Sequence, residues 1–360
     1  MNKKICFISQ FPPPIHGLSK AVDTLYNSSL QKEYEFIKID ITNNKKIIIN
    51  LLKLITDNSS LYYFTISQSK GGNLRDLIII KLLQLKKKRI LVHLHGGYFR
   101  TLIDEKCNKL QKDINYKLFK NVVGGIVLGN SLQYIFNGIL PNKKIFTVHN
   151  CVDNNFFISD ITFKNKLRKI NDKKVLNVLY LSNFIEEKGY KDILNIAKLI
   201  KEIGDNKFKF IFAGKFFDTD DKKYFYDFIS NNKLEDIVEY IGIVSGKKKL
   251  HLLEDSDIFV LLTRYPNEGQ PISIIEAMAN GLSVITTNHA GIPDLVKDQL
   301  NGFIVKYNDY TNIIKKLLHI FNNRSVQLDM VKVNRKTVKQ YFTESYYIEN
   351  MKKVFKEVLL

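Results

Sequence analysis

Two glutamates, Glu268 and Glu276, stand either side of seven residues in RYPNEGQPISIIEAMANGLSVITT (264–287). Upstream, DIFVLLT (257–263) is almost wholly apolar, the mark of a strand buried on both faces. A turn with Pro266 and Gly269 follows. Pro271 suits the first position of a helix and Gly281 its C-terminal end, which predicts a helix over 271–280. A strand, a glycine turn and a helix start form an anion site, because unpaired N–H groups and the helix dipole converge there. Glu268 precedes that positive end and Glu276 lies beyond it, up to ~12 Å away at a rise of about 1.5 Å per residue. Carboxylates accept strong hydrogen bonds from hydroxyls. The span therefore fits an elongated ligand with sugar hydroxyls at both ends and a diphosphate between, as in a nucleotide sugar. The competing reading is a pair of solvated glutamates at a helix start.

Histidines offer a second set of groups. ILVHLHGGYFR (90–100) puts His93 and His95 two residues apart at the end of a strand, hence on one face, and Gly96-Gly97 lets a ligand approach the backbone. No third ligand accompanies them, so a metal role is not expected. In SQFPPPIHGLSKA (9–21), His16 either touches a substrate or caps the helix that begins near residue 18. Asp-x-Asp occurs twice, in DTDD (218–221) and DSD (255–257). Such a pair can hold a divalent ion against a diphosphate, so metal-dependent sugar transfer is one alternative. Asp218 and Asp220 are expected in a solvated loop instead, and no metal site is assigned.

Short apolar runs alternating with helical patterns must position these groups. Strands are expected at 4–9, 34–39, 60–65, 89–94, 122–128 and 143–148, with helices at 18–30, 46–56, 74–86, 105–120 and 131–139 between them. After a polar, lysine-rich stretch at 158–174 that reads as a linker, strands recur at 175–181, 208–213, 237–241, 257–262, 283–287 and 303–305. Their helices fall at 189–203, 221–231, 247–254, 271–280, 292–297 and 309–321, and 325–358 reads as helical throughout. Two α/β domains of Rossmann type with parallel sheets follow, facing each other across a cleft. Their expected spans are 1–160 and 175–340, with a terminal helix, 341–360, packing back on the first.

Composition narrows the function. The 360 residues, 45% hydrophobic, suffice for two domains. No apolar run approaches the ~18 residues of a membrane helix. The start, MNKKICFISQFPPP, is too briefly apolar for a signal peptide, and three scattered cysteines imply no disulfide framework. A cytoplasmic location is expected. The net charge of +19 is uneven: +14 falls in residues 1–150 and +5 in the rest. KKIIINLLKLI (45–55) and IIIKLLQLKKKR (78–89) carry much of it. Such a surface attracts anions, either a membrane face or nucleic acid, or simply keeps the chain soluble. A basic nucleic-acid-binding protein is thus a second alternative, but no helix-turn-helix, zinc or RNA-sheet motif appears and nucleic acid is not expected. A nicotinamide-dependent dehydrogenase is disfavoured because no Gly-x-Gly-x-x-Gly follows a strand.

EGQPISIIEAMANGLSVITT, with AGIPDLV and NGFIV after it, resembles the C-terminal signature of glycosyltransferase family four, whose fold is GT-B. The resemblance is specific over 268–304 and weaker along nearly the whole chain. It implies a retaining, metal-independent enzyme without a cofactor, moving a sugar from a UDP- or GDP-linked donor to an acceptor hydroxyl. A lipid-linked saccharide acceptor, at an anionic cytoplasmic membrane surface, fits the basic first half. By the resemblance, Glu268 contacts the donor sugar and Glu276 the ribose, while Gly269, Gln270, Pro271 and Ser273 face sugar and phosphates. LYLSNFIEEKGY (179–190) matches the family's Gly-Arg-Leu…Lys-Gly element at Lys188-Gly189, so Lys188 would bind the diphosphate, but Asn183 replaces the arginine. Arg264 is a candidate substitute. His95 matches a family histidine facing the sugar, and Gly17 part of a glycine-rich loop near the diphosphate. His16 and His93 are assigned to the acceptor side. VHNCVD (148–153) is similar to the family's Pro-Asn-Gly-Val-Asp, with Cys151 at the glycine, and reads as structural. Ser283 stands where the family usually has proline. Gln270 stands where an apolar residue is common, so it bears on sugar choice.

Overall fold

The computed structural model describes residues 3–14 and 16–360. The chain forms two units, one comprising 1–151, 267–270 and 344–360, the other 152–266 and 271–343. The first break falls at Cys151 rather than 160, and the four-residue exchange at 267–270 corrects the expectation of one contiguous second domain.

In the first unit, β1 (Lys3–Ser9), α1 (Gly17–Tyr26), β2 (Tyr34–Asp40), α2 (Ile47–Thr56), β3 (Leu61–Thr65), α3 (Lys70–Leu85) and β4 (Arg89–His93) alternate as expected. They are followed by α4 (Phe99–Thr101), a single turn, then α5 (Lys109–Phe119), β5 (Gly124–Val127) and β6 (Ile145–Thr147). The strands form one parallel sheet in the order β2-β1-β3-β4-β5-β6. LYYFT of β3 is buried along its whole length, because helices cover both faces of a parallel sheet. Residues 131–139, expected as an α-helix, instead form a 3-10 helix at Asn130–Phe136.

The second unit contains α6 (Asp160–Lys169), β7 (Leu176–Leu181), α7 (Tyr190–Glu202), β8 (Phe208–Ala213), α8 (Thr219–Asn231), β9 (Val238–Gly242), α9 (Gly246–Asp255) and β10 (Ile258–Leu261). It continues through α10 (Ile272–Ala279), β11 (Ser283–Thr287), α11 (Ile292–Leu295), β12 (Gly302–Val305), α12 (Tyr310–Asn322) and α13 (Arg324–Tyr341). Its parallel sheet runs β12-β11-β10-β7-β8-β9. The expected linker at 158–174 is largely the helix α6. Its polar sequence lacks an apolar stripe, and it is fixed by Lys166, which donates to the carbonyls of Leu253 (3.1 Å) and Asn280 (3.0 Å). Burial pushes the Lys166 ammonium down to about 7.

The tail breaks at Phe342-Thr343 instead of running as one helix. α14 (Glu344–Leu359) then returns to the first unit, where Tyr347, Met351 and Phe355 join Phe7, Tyr63 and Val22 in one core. Arg89 and Lys3 donate to the carbonyls of Val358 (2.8 Å) and Leu359 (3.0 Å), which satisfies the open C-terminal end of the helix.

Candidate functional site

Strand order says where each sheet can bind a ligand. In the second unit the order reverses between β7 and β10, and open parallel sheets hold ligands beyond the carboxyl ends of strands at such a point. Lys188 lies in the segment after β7. The 263–270 segment follows β10. In the first unit the reversal falls between β1 and β3, and His16, Gly17 and His95 all follow strand ends there or next to it, on β4.

The β7 loop is anchored by an aromatic cluster. Phe184, fully buried, packs on Phe216 with centroids 3.9 Å apart and on Tyr190, Phe225 and Tyr240. Such ring pairs add about 0.5–1.5 kcal/mol each beyond their buried area. Asn183, next to Phe184, is exposed, and its carbonyl accepts from the Tyr180 hydroxyl at 2.7 Å. Lys188 is half-buried with its ammonium 4.7 Å from the Tyr265 ring centroid. Gly189, at φ +84°, is required: a Cβ there would stand 2.6 Å from the Leu262 carbonyl oxygen.

Arg264, the candidate replacement for the missing arginine, is already committed. It donates to the buried Asp192 at 2.8 Å, lies over Tyr307, and shares Asp192 with the Tyr310 hydroxyl at 3.0 Å. Much of its charge is neutralised by that partner.

Helix α10 begins at Ile272, directly after the extended Pro271, and no side chain caps its N-terminus; Ser273 is half-buried in the first turn. At the other end, Asn280 donates to the Glu276 carbonyl (2.8 Å) and Arg335 to that of Ala279 (2.6 Å), with Gly281 at φ +69°. These fix the helix that carries Glu276. The Glu276 side chain is 4% exposed and pairs with Lys249 of α9 at 2.6 Å. Burial pushes its carboxyl up, and the lysine opposes that shift. Lys249 also lies over the Phe156 ring at 4.5 Å. The residues alone did not single it out, although it precedes the buried Leu252 and Leu253 by three and four positions, on the same face of α9.

Ser283, where the family usually has proline, donates its N–H to the Asp257 carbonyl at 3.0 Å, a bond proline cannot make. Neither Asp-x-Asp is poised for a metal. Asp218 caps α8, accepting from the Asp220 N–H at 2.8 Å, while Asp257 is buried and pairs with Lys173 at 2.6 Å.

In the first unit His93 and His95 stack with ring centroids 4.0 Å apart. His93, assigned to the acceptor, is wholly buried, and its Nδ1 bonds the Tyr63 hydroxyl at 2.6 Å. That corrects its assignment: it lacks a surface for a substrate and supports its neighbour. Neither ring nitrogen of His95 has a hydrogen-bond partner among the described residues. Burial, reinforced by His16, pushes its imidazole down to about 3, so it is neutral near pH 7. His16 caps α1. Its Nδ1 accepts from the Ser19 N–H and its own N–H donates to Ser19 Oγ at 3.0 Å, which realises the capping alternative. Gly17 opens that helix.

The 267–270 segment packs in this unit. A Cβ on Gly269 would lie 2.6 Å from the His95 carbonyl oxygen, so only glycine permits the approach. Glu268 is buried beside it in sequence. The Gln270 side chain accepts from the Asn150 N–H at 2.8 Å, and its carbonyl accepts from Asn150 Nδ2 at 2.9 Å. Its amide is thereby spent on holding the 149–150 segment, which gives VHNCVD its structural part.

Comparison with known proteins bears on the fold and the class of protein. Residues 160–337 match the family model described as glycosyl transferases group 1. The chain is 25% identical to N-acetyl-alpha-D-glucosaminyl L-malate synthase of Bacillus anthracis over 274 residues, 75% of this chain and 68% of that one. It is 29% identical to the putative colanic acid biosynthesis glycosyltransferase WcaL of Escherichia coli over 147 residues, 39% of this chain and 35% of that one. Among solved structures, Anabaena HepE in complex with UDP-glucose superposes with a TM-score of 0.74 at 15% identity, over 98% of this chain and 99% of that one. The fold is that of the GT-B glycosyltransferases, two Rossmann-like domains, and the protein is a glycosyltransferase.

Proposed function

We propose that the protein is a retaining, metal-independent glycosyltransferase that moves a hexose or related sugar from a UDP- or GDP-linked donor to an acceptor hydroxyl. The observation that carries this reading is the Lys188-Gly189 turn at the strand reversal of the second sheet, in the unit that also presents Glu276 buried and paired. Lys188 and the uncapped amides of α10 stabilise the departing diphosphate, and Asn183 adds no charge there. Glu276 accepts from the ribose hydroxyls, Glu268 and His95 act at the sugar, and Gly17, Gly269, Pro271 and Ser273 allow the backbone close approach. Position and charge do the work. The bond from the anomeric carbon to the phosphate oxygen breaks, the acceptor oxygen bonds that carbon on the face the diphosphate leaves, and the departing phosphate oxygen takes the acceptor's proton, so no protein nucleophile is needed.

Similarity to a colanic acid glycosyltransferase and to a UDP-glucose complex supports the donor class and a role in surface polysaccharide synthesis. The acceptor in this reading is a lipid-linked saccharide, and the enzyme works on an anionic cytoplasmic membrane face. No helix among the described residues is long and apolar enough to cross a membrane, while residues 1–150 carry a net +14. A panel of UDP- and GDP-sugars, scored by thermal stabilisation and donor hydrolysis with and without chelator, tests the proposal. One donor should stand out, undiminished by chelator, and its product should keep the anomeric configuration. Activity lost to chelator and restored by a divalent ion would contradict the metal-independent scheme.

A further inference from the structure

Helix α2 is apolar on its outer face as well as its inner one. A helix on a sheet normally buries its apolar stripe. Here Asn50 and Leu54 turn inward, with Asn50 Nδ2 donating to the Asp40 carbonyl at 2.9 Å. Ile48 (70% exposed), Ile49 (55%), Leu52 (59%) and Ile55 (52%) face solvent.

Its neighbour α3 buries Leu77, Ile80 and Leu83 against the sheet, yet Leu74, Ile78 and Leu85, all more than half exposed, recur at the spacing of a second, outer face, with Lys81 among them. The two helices lie side by side. Lys86 ties them, donating to the carbonyls of Leu54 (2.6 Å), Ile55 (2.7 Å) and Asp57 (2.7 Å). Seven large aliphatic side chains on two adjoining helices exceed the scattered apolar residues of an ordinary surface.

The frame of this patch is cationic. Segments 45–56 and 70–89 hold ten lysines and arginines and one acidic residue, Asp76, which is buried against Arg75. Lys45, Lys46, Lys53 and Lys81 are exposed.

We propose that the outer face of α2 and α3 is a membrane-docking surface, its isoleucines and leucines seated at the headgroup–acyl boundary of an anionic bilayer and its lysines on the phosphates. Short aliphatic side chains ringed by lysine are what that boundary accommodates, since lysine stems lie along apolar surface while the ammonium stays among headgroups. Each lysine close to such a surface favours partitioning by about fivefold. A protein partner fits less well: protein interfaces favour aromatics, methionine and arginine and are poor in lysine, whereas these segments contain no aromatic or methionine. A second copy would bring like charges together.

The inference rests on the membrane half of the proposed function and is independent of the donor assignment. Its test is co-sedimentation of the full chain with phosphatidylcholine vesicles, with or without phosphatidylglycerol. The comparison sets wild type beside Ile48→Gln/Leu52→Gln/Ile55→Gln and Lys45→Glu/Lys46→Glu/Lys53→Glu, with Ile203→Gln and Lys222→Glu/Lys223→Glu in the second unit as controls. Circular dichroism and an unchanged thermal unfolding transition verify that each variant is folded. Wild type and controls should bind only phosphatidylglycerol-containing vesicles, and both α2 variants should lose about tenfold or more in partitioning. Binding that survives the glutamine variant keeps the membrane reading but overturns this surface. A wild type that ignores anionic vesicles overturns both. A dimer in solution that the glutamine variant dissolves, without vesicle binding, assigns the face to a second copy and overturns the proposal.

Discussion

The two units prepare their strand ends in opposite ways. In the second unit every prominent charge has a countercharge or a ring: Glu276 with Lys249, Arg264 with Asp192 and Tyr307, Lys188 against Tyr265. In the first, His93 and His95 are neutral and stacked, His93 wholly buried and His95 half-buried, and neither ring nitrogen of His95 has a hydrogen-bond partner among the described residues. Compensated charge suits a polyanion that must be both held and released. A dry, neutral imidazole suits hydroxyls and a reaction from which water must be kept. The contrast predicts that lesions in one unit change binding and leaving-group departure, and lesions in the other change turnover alone.

The largest effect should come from Lys188. Replacing it by alanine removes the cation assigned to the leaving group, and kcat should fall about 10²–10³-fold. A change confined to KM would break the contrast, because the lysine would then bind ground and transition states equally. His95→Gln should lower kcat by about 10²-fold while leaving nucleoside diphosphate affinity unchanged. The same variant sharpens the electrostatic half of the comparison. With the folded pKa of His95 below its unfolded value, the unfolded chain binds more protons between pH 6.5 and about 3. The stability this residue allows is fully present above pH 6.5 and is lost as pH falls through that window. His95→Gln should therefore flatten the acid side of the stability curve by roughly one proton, as read by denaturation at stepped pH.

Lys249→Met is the smallest of the three in catalysis, about tenfold in donor Kd, but it strands a buried carboxylate and should cost about 3 kcal/mol of stability. Adding Glu276→Gln to it should restore part of that stability, since neither charge then lacks its partner. Strict additivity in the cycle would sever the two residues.

Much of this layout was legible because parallel strands buried on both faces leave unbroken apolar runs: FKFIFA of β8 and SVITT of β11 have the bounds expected of them. The α10 helix was legible from Pro271 and Gly281 for the same kind of local reason. α6 was not, since DITFKNKLRK has no stripe and is held in place by tertiary bonds from Lys166. Local chemistry likewise cannot show that Gln270 is consumed by Asn150, 120 positions away, or that the middle of three lysine-rich positions before Leu250 matters less than Lys249. Long-range pairs need the fold before they acquire meaning. The tail illustrates the reverse case, where helical periodicity was evident but the break at Phe342-Thr343 was not. There the Phe342 carbonyl accepts from the Val152 N–H at 2.9 Å, a partner nearly two hundred residues upstream.

Calorimetric titration of UDP and GDP into wild type, Glu276→Ala and Glu268→Ala, paired with donor turnover by each, asks most directly whether the second unit holds the nucleotide. The division of labour predicts that Glu276→Ala weakens binding of the preferred nucleotide about tenfold or more, through loss of a charge-assisted bond, while Glu268→Ala binds it like wild type and turns over slowly. Equal nucleotide affinity in all three proteins, with turnover unchanged, would contradict it.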